Sequence, residues 1–360
     1  MPLNPNPVNF AKRNLRNYVV KAKTKTFVFL KTKISRRGPF IGFIQSCYWP
    51  INILITIIQS YSVRGKKMIE HRSVLLKEVI EYLNPQPNQD FADCTVGEAG
   101  HAAEILHRTS PSGKLLAIDW DKYSLERAKA ELTKFEDRVS FAGDNFKNLK
   151  SIAEKFHFRD FSGIFFDLGL ATYQIKNPNY GLSFQIDAPL DMRIVPQAGK
   201  SAAEIVNRYS LEKLIDIFRN YGDESFAKPI AKAILQVRRQ RKIATTFQLV
   251  KIIQAVKKVH KKIHPATQVF QALRIEVNEE FDNLKQGLSA GADLLKVSGR
   301  LAVISFHSGE DRIVKQFFKA RKDLNIITKK PVRASLQEIK INLQSRSGKL
   351  RVAEKQKMEG

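Results

Sequence analysis

Residues 91–119 read FADCTVGEAGHAAEILHRTSPSGKLLAID, and the architecture of much of the chain follows from this stretch. An apolar run ends at Cys94, a turn with Gly97 and Gly100 follows, and an amphipathic segment leads to a second apolar run that ends at Asp119. A strand, a turn, a helix and a strand in this order form a βαβ unit, whose two strands are parallel. The stretch therefore predicts an open α/β sheet.

The alternation of apolar runs and amphipathic segments continues on both sides of this unit. Apolar runs at 139–141 and 163–167 predict a third and a fourth strand, and the run at 299–307 predicts a later strand, with a helix after it at 311–321. Residues 73–82 predict a helix before the first strand. The predicted fold class is therefore α/β, with a mainly parallel, doubly wound sheet.

The alternation stops between residues 177 and 277, which have the apolar spacing of helices and few strand signals. We predict that 177–277 form an inserted helical domain that binds the substrate, while 70–176 and 278–360 form the sheet domain. Basic residues of the insertion are candidates for contacts with phosphates, or else belong to a solvated helix face. They are Arg238, Arg239, Arg241, Lys242, Lys257, Lys258, Lys261 and Lys262.

The first 69 residues, the leader, differ from the rest of the chain. They contain 13 Lys or Arg and no Asp or Glu, and the apolar run at 40–61 is long enough to cross a membrane. Three explanations remain open: a mistaken start upstream of Met68, a membrane anchor with basic flanks, or an organelle transit peptide. The expected location is the bacterial cytoplasm, or mitochondria if the leader is a transit peptide. Membrane association is expected only if the leader is part of the protein.

Charge and cysteine content limit the function classes. The net charge is +26, and the residues after the leader keep 48 basic against 35 acidic side chains. This excess favours a polyanionic partner such as nucleic acid. Two cysteines, Cys47 and Cys94, are too few for a disulfide scaffold or a cysteine-based zinc site, and we predict no metal.

Polar residues at the ends of the predicted strands indicate a nucleotide site. In open parallel sheets, ligands bind beyond the carboxyl ends of the strands. Gly97 allows a ligand to approach the backbone, and Asp119 follows it by 22 residues, the offset at which a carboxylate accepts hydrogen bonds from ribose hydroxyls. Asp144 and Asp167 end the next two strands. Each feature alone is more often a turn or a helix cap, so the prediction depends on their joint placement.

Glu98 bears on the chemistry of the cofactor. Its carboxylate lies in the turn where the pyrophosphate of NAD or FAD would bind, and the strict G-x-G-x-x-G pattern is absent. A cofactor without phosphates, such as S-adenosylmethionine, is compatible with this residue.

Nine separated blocks resemble the RsmH (MraW) methyltransferases, from His71 to about Lys355. The resemblance implies a class I (Rossmann-like) methyltransferase fold and methylation of the N4 amine of a cytosine in small-subunit (16S) ribosomal RNA by S-adenosyl-L-methionine. The blocks are HRSVLL at 71–76, GEAGH at 97–101, DLG at 167–169, YGLSF at 180–184, PLDMR at 189–193, HPAT at 264–267, FQALR at 270–274, SFHSGEDR at 305–312 and RSGKLR at 346–351.

The resemblance also implies roles for individual residues. The cofactor would contact Ala99, Gly100, His101, Asp119, Phe146, Asp167 and Gln174. The predicted catalytic residues are Asp167, His307 and Asp191, and the predicted substrate-binding residues are Arg193, Arg274, Ser308 and Arg312.

The chemistry suggests what the catalytic residues do. The cytosine amine is a poor nucleophile, and an enzyme must accept its hydrogens as the new bond forms. Asp167 accepts from the amine or from the cofactor, and His307 takes up the proton or is a buried structural histidine. Asp191 and Arg193 orient the base or a phosphate, or form an internal ion pair. Tyr173 and Phe184 are candidates for stacking on a base or are core residues.

A second function class remains open. Glu98, Ala99 and Gly309 replace residues that are usual in the family, which is compatible with a non-catalytic RNA-binding or ribosome-assembly protein that keeps the fold. In both cases the expected partner is 16S rRNA in the small ribosomal subunit, and a homodimer is a further expectation.

Overall fold

A seven-stranded sheet organises the part of the chain that the computed structural model describes, residues 72–196, 199–257 and 264–357. In chain order, β1 to β7 are Phe91–Asp93, Leu115–Ile118, Val139–Ala142, Phe161–Asp167, Leu295–Ser305, Leu324–Ile326 and Lys349–Lys355. Their order across the sheet is β3-β2-β1-β4-β5-β7-β6. Strands β1 to β5 pair in parallel, and β7 is antiparallel to both β5 and β6. This is the class I methyltransferase fold, and the predicted fold class is confirmed.

Helices connect the strands and form the segment between β4 and β5. The helices α1 to α13 are Leu76–Leu83, Gly100–Arg108, Lys122–Glu131, Leu149–Lys155, Thr172–Lys176, Ala202–Arg208, Leu211–Asn220, Ala227–Gln240, Thr246–Val256, Thr267–Asn278, Glu280–Leu294, Ser308–Ala320 and Leu336–Ile341. Single 3₁₀ turns lie at Thr133–Arg138, Phe146–Asn148, Pro178–Tyr180 and Leu343–Ser347.

The strand pattern produces one apolar layer on each face of the sheet. Successive side chains of a strand point to opposite faces, and all four residues of β2 are buried. Leu115 and Ala117 therefore pack into one layer, together with Phe91 and Phe165, whereas Leu116 belongs to the layer on the opposite face. Burial on both faces explains why these strands appear in the sequence as continuous apolar runs.

The segment 177–277 contains helices α6 to α9 and nearly all of α10, and these helices share a third apolar cluster that includes Phe218, Ile230 and Leu273. Two of its basic candidates have partners within the insertion. Arg238 donates to the backbone carbonyls of Val206 and Tyr209. Lys257 is buried, and its Nζ lies 2.7 Å from Glu224 Oε2. The domain boundaries given above stay a prediction.

Some of the residues named in the predictions lie outside the described part of the chain. Residues 1–71 are among them, so the three explanations for the leader stay open, and so are Lys258, Lys261 and Lys262. Among the helices of the described residues, none combines the length and apolar character needed to cross a membrane.

The close contact between β1 and β4 depends on a residue without a side chain. Gly163 pairs with Phe91 across the two strands, and a Cβ at residue 163 would overlap the Phe91 ring. We expect Gly163→Ala to lower the free energy of unfolding by about 1–3 kcal/mol, because the buried ring has to shift. Urea unfolding measures this change.

Gly291→Ala is the matched control. The added methyl would lie 3.4 Å from Leu301 Cδ1, an ordinary contact, and alanine favours the helix that holds it. We expect this variant to be as stable as the wild type or more stable. Equal destabilisation by the two substitutions would contradict the packing argument.

Candidate active site

A cavity of about 390 Å³ lies beyond the carboxyl ends of β1, β2 and β4. The order of the sheet reverses at β1, which pairs with β2 on one side and β4 on the other, and connections leave in opposite directions at such a point. The helices α10 and α11 contribute Arg274, Asn278 and Asn283 to the wall, and the segment before β7 contributes Gln344 and Ser347. Elements distant in sequence therefore enclose one site.

The turn after β1 brings its backbone to the edge of the cavity. Gly97 has φ +53°, a conformation that glycine adopts readily, and its N–H donates to Asp119 Oδ2 over 2.9 Å. Gly100 begins α2, and a Cβ added there would overlap Ser73 Oγ, so that hydroxyl would have to move. Ala99 has φ +63° and is fully buried, and it does not line the cavity.

Asp119 is held in place by backbone donors from two sides. Besides the bond from Gly97, its Oδ1 accepts from the N–H of Asp121 over 2.9 Å. Burial raises the pKa of Asp119 to about 6, although these two hydrogen bonds oppose the rise. Each carboxylate oxygen can accept a second hydrogen bond, so the residue can still receive hydroxyl groups of a ligand.

Asp167 ends β4 at the centre of the site. Its N–H donates to Thr95 Oγ1 over 2.6 Å, which ties β4 to the turn after β1. Burial raises the pKa of Asp167 to about 7, and the negative charge of Glu310 adds to the rise. A carboxylate with this pKa can exchange a proton near neutral pH.

The cavity wall carries more acidic than basic residues. Its carboxylates belong to Glu98, Asp119, Asp167, Glu280 and Glu310, and its one guanidinium among the described residues is that of Arg274. Arg274 is already bound to Glu280 through Nε–Oε1 and Nη2–Oε2 contacts of 2.8 and 2.9 Å. Such a wall favours a ligand with positive charge and disfavours a pyrophosphate.

Three other residues predicted to bind the cofactor also line the cavity. His101 Nε2 lies 3.0 Å from the carbonyl oxygen of Val74, and its ring packs against Phe165. Phe146 meets Phe166 edge-to-face. The amide of Gln174 is buried, accepts from the N–H of Ala171 and donates to Asp121 Oδ2. With Gly100, Asp119 and Asp167, six of the seven predicted cofactor residues are brought together here.

The other predicted catalytic residues lie outside this cavity. Asp191 and Arg193 form a two-point ion pair of 2.7 and 2.8 Å with each other. His307 begins α12 as its N-cap, and its Nε2 lies 3.0 Å from Glu310 Oε1. Although burial opposes ionisation, His307 and Arg274 lower the pKa of Glu310. His307 therefore affects the cavity through Glu310 rather than by lining it.

Of the predicted substrate-binding residues, only Arg274 lines the cavity. Ser308 and Arg312 both contact the carboxylate of Asp223, which lies in the insertion, at 2.5 and 3.4 Å. This cluster joins α12 to the segment between α7 and α8.

Sequence reasoning missed Glu280, Phe306, Trp120 and Asn283 as residues of the wall. Phe306 stood inside a quoted block, and Trp120 follows Asp119 directly, so position beside a candidate residue was the available signal. Nothing in the local pattern distinguished Glu280 or Asn283 from surface residues of a helix.

The aromatic residues proposed for stacking lie elsewhere. Tyr173 packs against Tyr123, and its hydroxyl lies 3.2 Å from Ser124 Oγ. Phe184 stacks on His264 at 4.5 Å within the insertion. Phe306 and Trp120 are instead the aromatic residues that line the cavity together with Phe146.

Comparison with known proteins covers both the sheet and the insertion. The profile of the MraW methylase family matches residues 68–356. The protein named ribosomal RNA small subunit methyltransferase H in Syntrophotalea carbinolica is 43% identical over 307 residues, which cover 79% of this chain and 98% of that protein. Proteins of the same name in Sulfurihydrogenibium sp. and Persephonella marina are 44% and 42% identical. They cover 79% and 80% of this chain, and 99% and 100% of their own lengths are matched.

Asp93, the last residue of β1, makes the stability of the protein depend on pH. Burial raises the pKa of this carboxyl from 3.8 to about 8, so the folded protein retains a proton that the unfolded chain releases. Wild-type stability should therefore fall as the pH rises between these two values. We expect the stability of Asp93→Asn, relative to the wild type, to increase over this window, by up to about 1.4 kcal/mol per pH unit. Urea unfolding across this pH range measures it, and parallel curves for the two proteins would contradict it.

Proposed function

Because this chain belongs to the MraW methylase family, we propose that it transfers a methyl group from S-adenosylmethionine to the N4 amine of a cytosine in small-subunit ribosomal RNA. The observation that carries the proposal is the acid-rich cavity at the reversal of the sheet, with Asp119 and Asp167 at the carboxyl ends of the two strands that flank β1. The names of the relatives support the RNA substrate, and so does the basic excess of residues 70–360.

The residues present fit S-adenosylmethionine. This cofactor carries a positive sulfonium and no phosphate, which matches a wall where acidic groups outnumber basic ones. Asp119 would receive the ribose hydroxyls, the turn with Gly97 and Gly100 would lie against the cofactor, and Phe146 would lie beside the adenine. When bound, the cofactor supplies an electrophilic methyl group.

Asp167 acts on the amine in this proposal. Its carboxylate accepts a hydrogen bond from the N4 amine, which increases the electron density on nitrogen, and it takes up the proton that the amine loses on methylation. A pKa of about 7 lets the same group release the proton to water after each turnover. Glu310 and its partner His307 are positioning residues, because the charge of Glu310 contributes to this pKa.

The remaining predicted residues act on the RNA in this proposal. Arg274, paired with Glu280 in the wall, contacts the target nucleotide. Ser308 and Arg312 are exposed beside Asp223, and Arg312 contacts a phosphate there. Asp191 orients Arg193, whose guanidinium contacts the RNA outside the cavity.

The residues in the turn after β1 that differ from those usual in the family do not oppose the proposal. The Glu98 carboxylate lies 3.0 Å from the Arg127 guanidinium, so its charge is balanced. The protein would act in the bacterial cytoplasm, with mitochondria as the alternative attached to the leader. The homodimer stays a prediction.

The first test is methyl transfer to small ribosomal subunits that lack the modification, followed by nucleoside analysis. We expect N4-methylcytosine from the wild type. For Asp167→Asn we expect the rate of methyl transfer to fall by about 100-fold or more, because the amide cannot take up the proton. Asp90→Asn is the matched control, since Asp90 lies at the opposite end of β1 and caps the N–H of Lys114. RNA binding without methyl transfer by the wild type would favour the non-catalytic alternative.

A second test uses the charge of the cofactor. S-adenosylmethionine is positive at sulfur, whereas its product S-adenosylhomocysteine is neutral there. As Asp167 ionises around pH 7, we expect the affinity for the cofactor relative to the product to rise, by about three- to tenfold between pH 6 and pH 8. In Asp167→Asn this ratio should be nearly independent of pH. Calorimetric Kd values measure it, and a constant ratio in the wild type would contradict the assignment.

A further inference from the structure

One buried polar atom of the cavity wall has no hydrogen-bond partner among the described residues. It is the side-chain oxygen of Asn283, on α11, and the residue is 3% exposed. The Nδ2 of the same amide donates to the backbone carbonyl of Asn278 over 2.8 Å. Since a carbonyl accepts only from the nitrogen, this bond fixes the orientation of the amide, and the free atom is the acceptor.

An unsatisfied acceptor in a buried position is costly and is usually paired when the site is filled. Asn283 lines the cavity, so the donor that it lacks can come from a bound ligand. Its neighbour in the wall, Asn278, has no such need, because its side chain accepts from Ile194 and donates to the carbonyls of Met192 and Arg274. The missing partner is therefore specific to Asn283.

The position of Asn283 on α11 indicates which part of the ligand it meets. One helical turn further along, Gly287 lies against Phe146, close enough that a Cβ at residue 287 would stand 2.7 Å from the ring. Residues 283 and 287 share a helix face. Phe146 follows β3, next to the strand that ends at Asp119. A nucleoside with its ribose at Asp119 therefore extends its base toward Phe146 and this face of α11.

We propose that Asn283 Oδ1 accepts a hydrogen bond from the exocyclic amino group of the cofactor's adenine, and so selects an amino-purine. This inference rests on the proposed function, because it presumes that the cavity holds S-adenosylmethionine. It assigns to α11, from which the sequence analysis named no site residue, a direct part in recognising the cofactor.

The experiment combines two ligands with two proteins. Calorimetry measures the Kd of S-adenosylhomocysteine and of its analogue with hydrogen in place of the purine 6-amino group, for the wild type and for Asn283→Leu. We expect the wild type to bind the analogue about fivefold more weakly, the effect of one hydrogen bond between neutral groups. Asn283→Leu should bind the two ligands equally.

Two further variants control the measurement. Asp282→Asn changes the adjacent residue, whose side chain is 68% exposed, and should preserve the full discrimination between the ligands. Asn283→Ala removes the acceptor with a smaller side chain, and it replaces Asn283→Leu if that variant does not fold. Thermal melting identifies which variants are folded.

The outcomes separate this inference from the proposed function. Full discrimination by a folded Asn283 variant, or none by the wild type, would overturn the assignment to adenine while S-adenosylhomocysteine still binds. Unchanged Kd values with a lower kcat on RNA would also overturn it, because Asn283 would then act on the target base. Failure of the wild type to bind S-adenosylhomocysteine would overturn the proposed function itself, together with this inference.

Discussion

Burial of carboxylates at the carboxyl ends of parallel strands is the constraint on which the site depends. Asp93 and Asp167 end β1 and β4, Asp119 directly follows β2, and desolvation raises the pKa of each. Backbone N–H groups of the turn after β1 and of the segment after β2 stabilise the charged forms. The hydrogen bonds that fix the shape of the turn therefore also oppose part of the rise in pKa that burial causes.

A second set of charges connects the insertion to the sheet. Arg274 belongs to α10 and Glu280 to the start of α11, whereas Glu310 and His307 belong to the N-terminus of α12. Glu310 accepts hydrogen bonds from the N–H groups of Phe306 and His307, and the positive charge of Arg274 lowers its pKa. Loss of one member would leave a buried charge without its partner, so these elements are held in one arrangement around the cavity. Asp167 is affected by this arrangement through Glu310.

The sequence predicted the parallel part of the sheet because its strands are buried on both faces and so appear as continuous apolar runs. The predicted runs at 139–141 and 163–167 correspond to β3 and to most of β4. The predicted helix at 73–82 begins later, at Leu76, because Leu75 adopts a left-handed conformation with φ 54°. Strands β6 and β7 were missed because they join the sheet through β7, whose partners in β5 lie 49 residues earlier in the chain on average, and no local pattern reveals such a pairing.

The site shows the same difference between residues that a local pattern identifies and residues that only tertiary packing brings to the cavity. Asp119 and Asp167 could be identified from the sequence, since a residue that directly follows a predicted strand has a known place in a parallel sheet. Most of the wall that faces them could not be identified, because Glu280 and Asn283 lie on α11 and reach the cavity only through the packing of that helix.

The sequence by itself determined the fold class, the edge of the sheet where the candidate site lies and the resemblance to a methyltransferase family, because these depend on periodicity and on short local blocks. Only the tertiary structure decided which of the predicted residues share the cavity, which instead pair with one another as Asp191 and Arg193 do, and which polar atom lacks a partner. The physical reason is that hydrogen bonding and desolvation depend on distances between segments far apart in the chain.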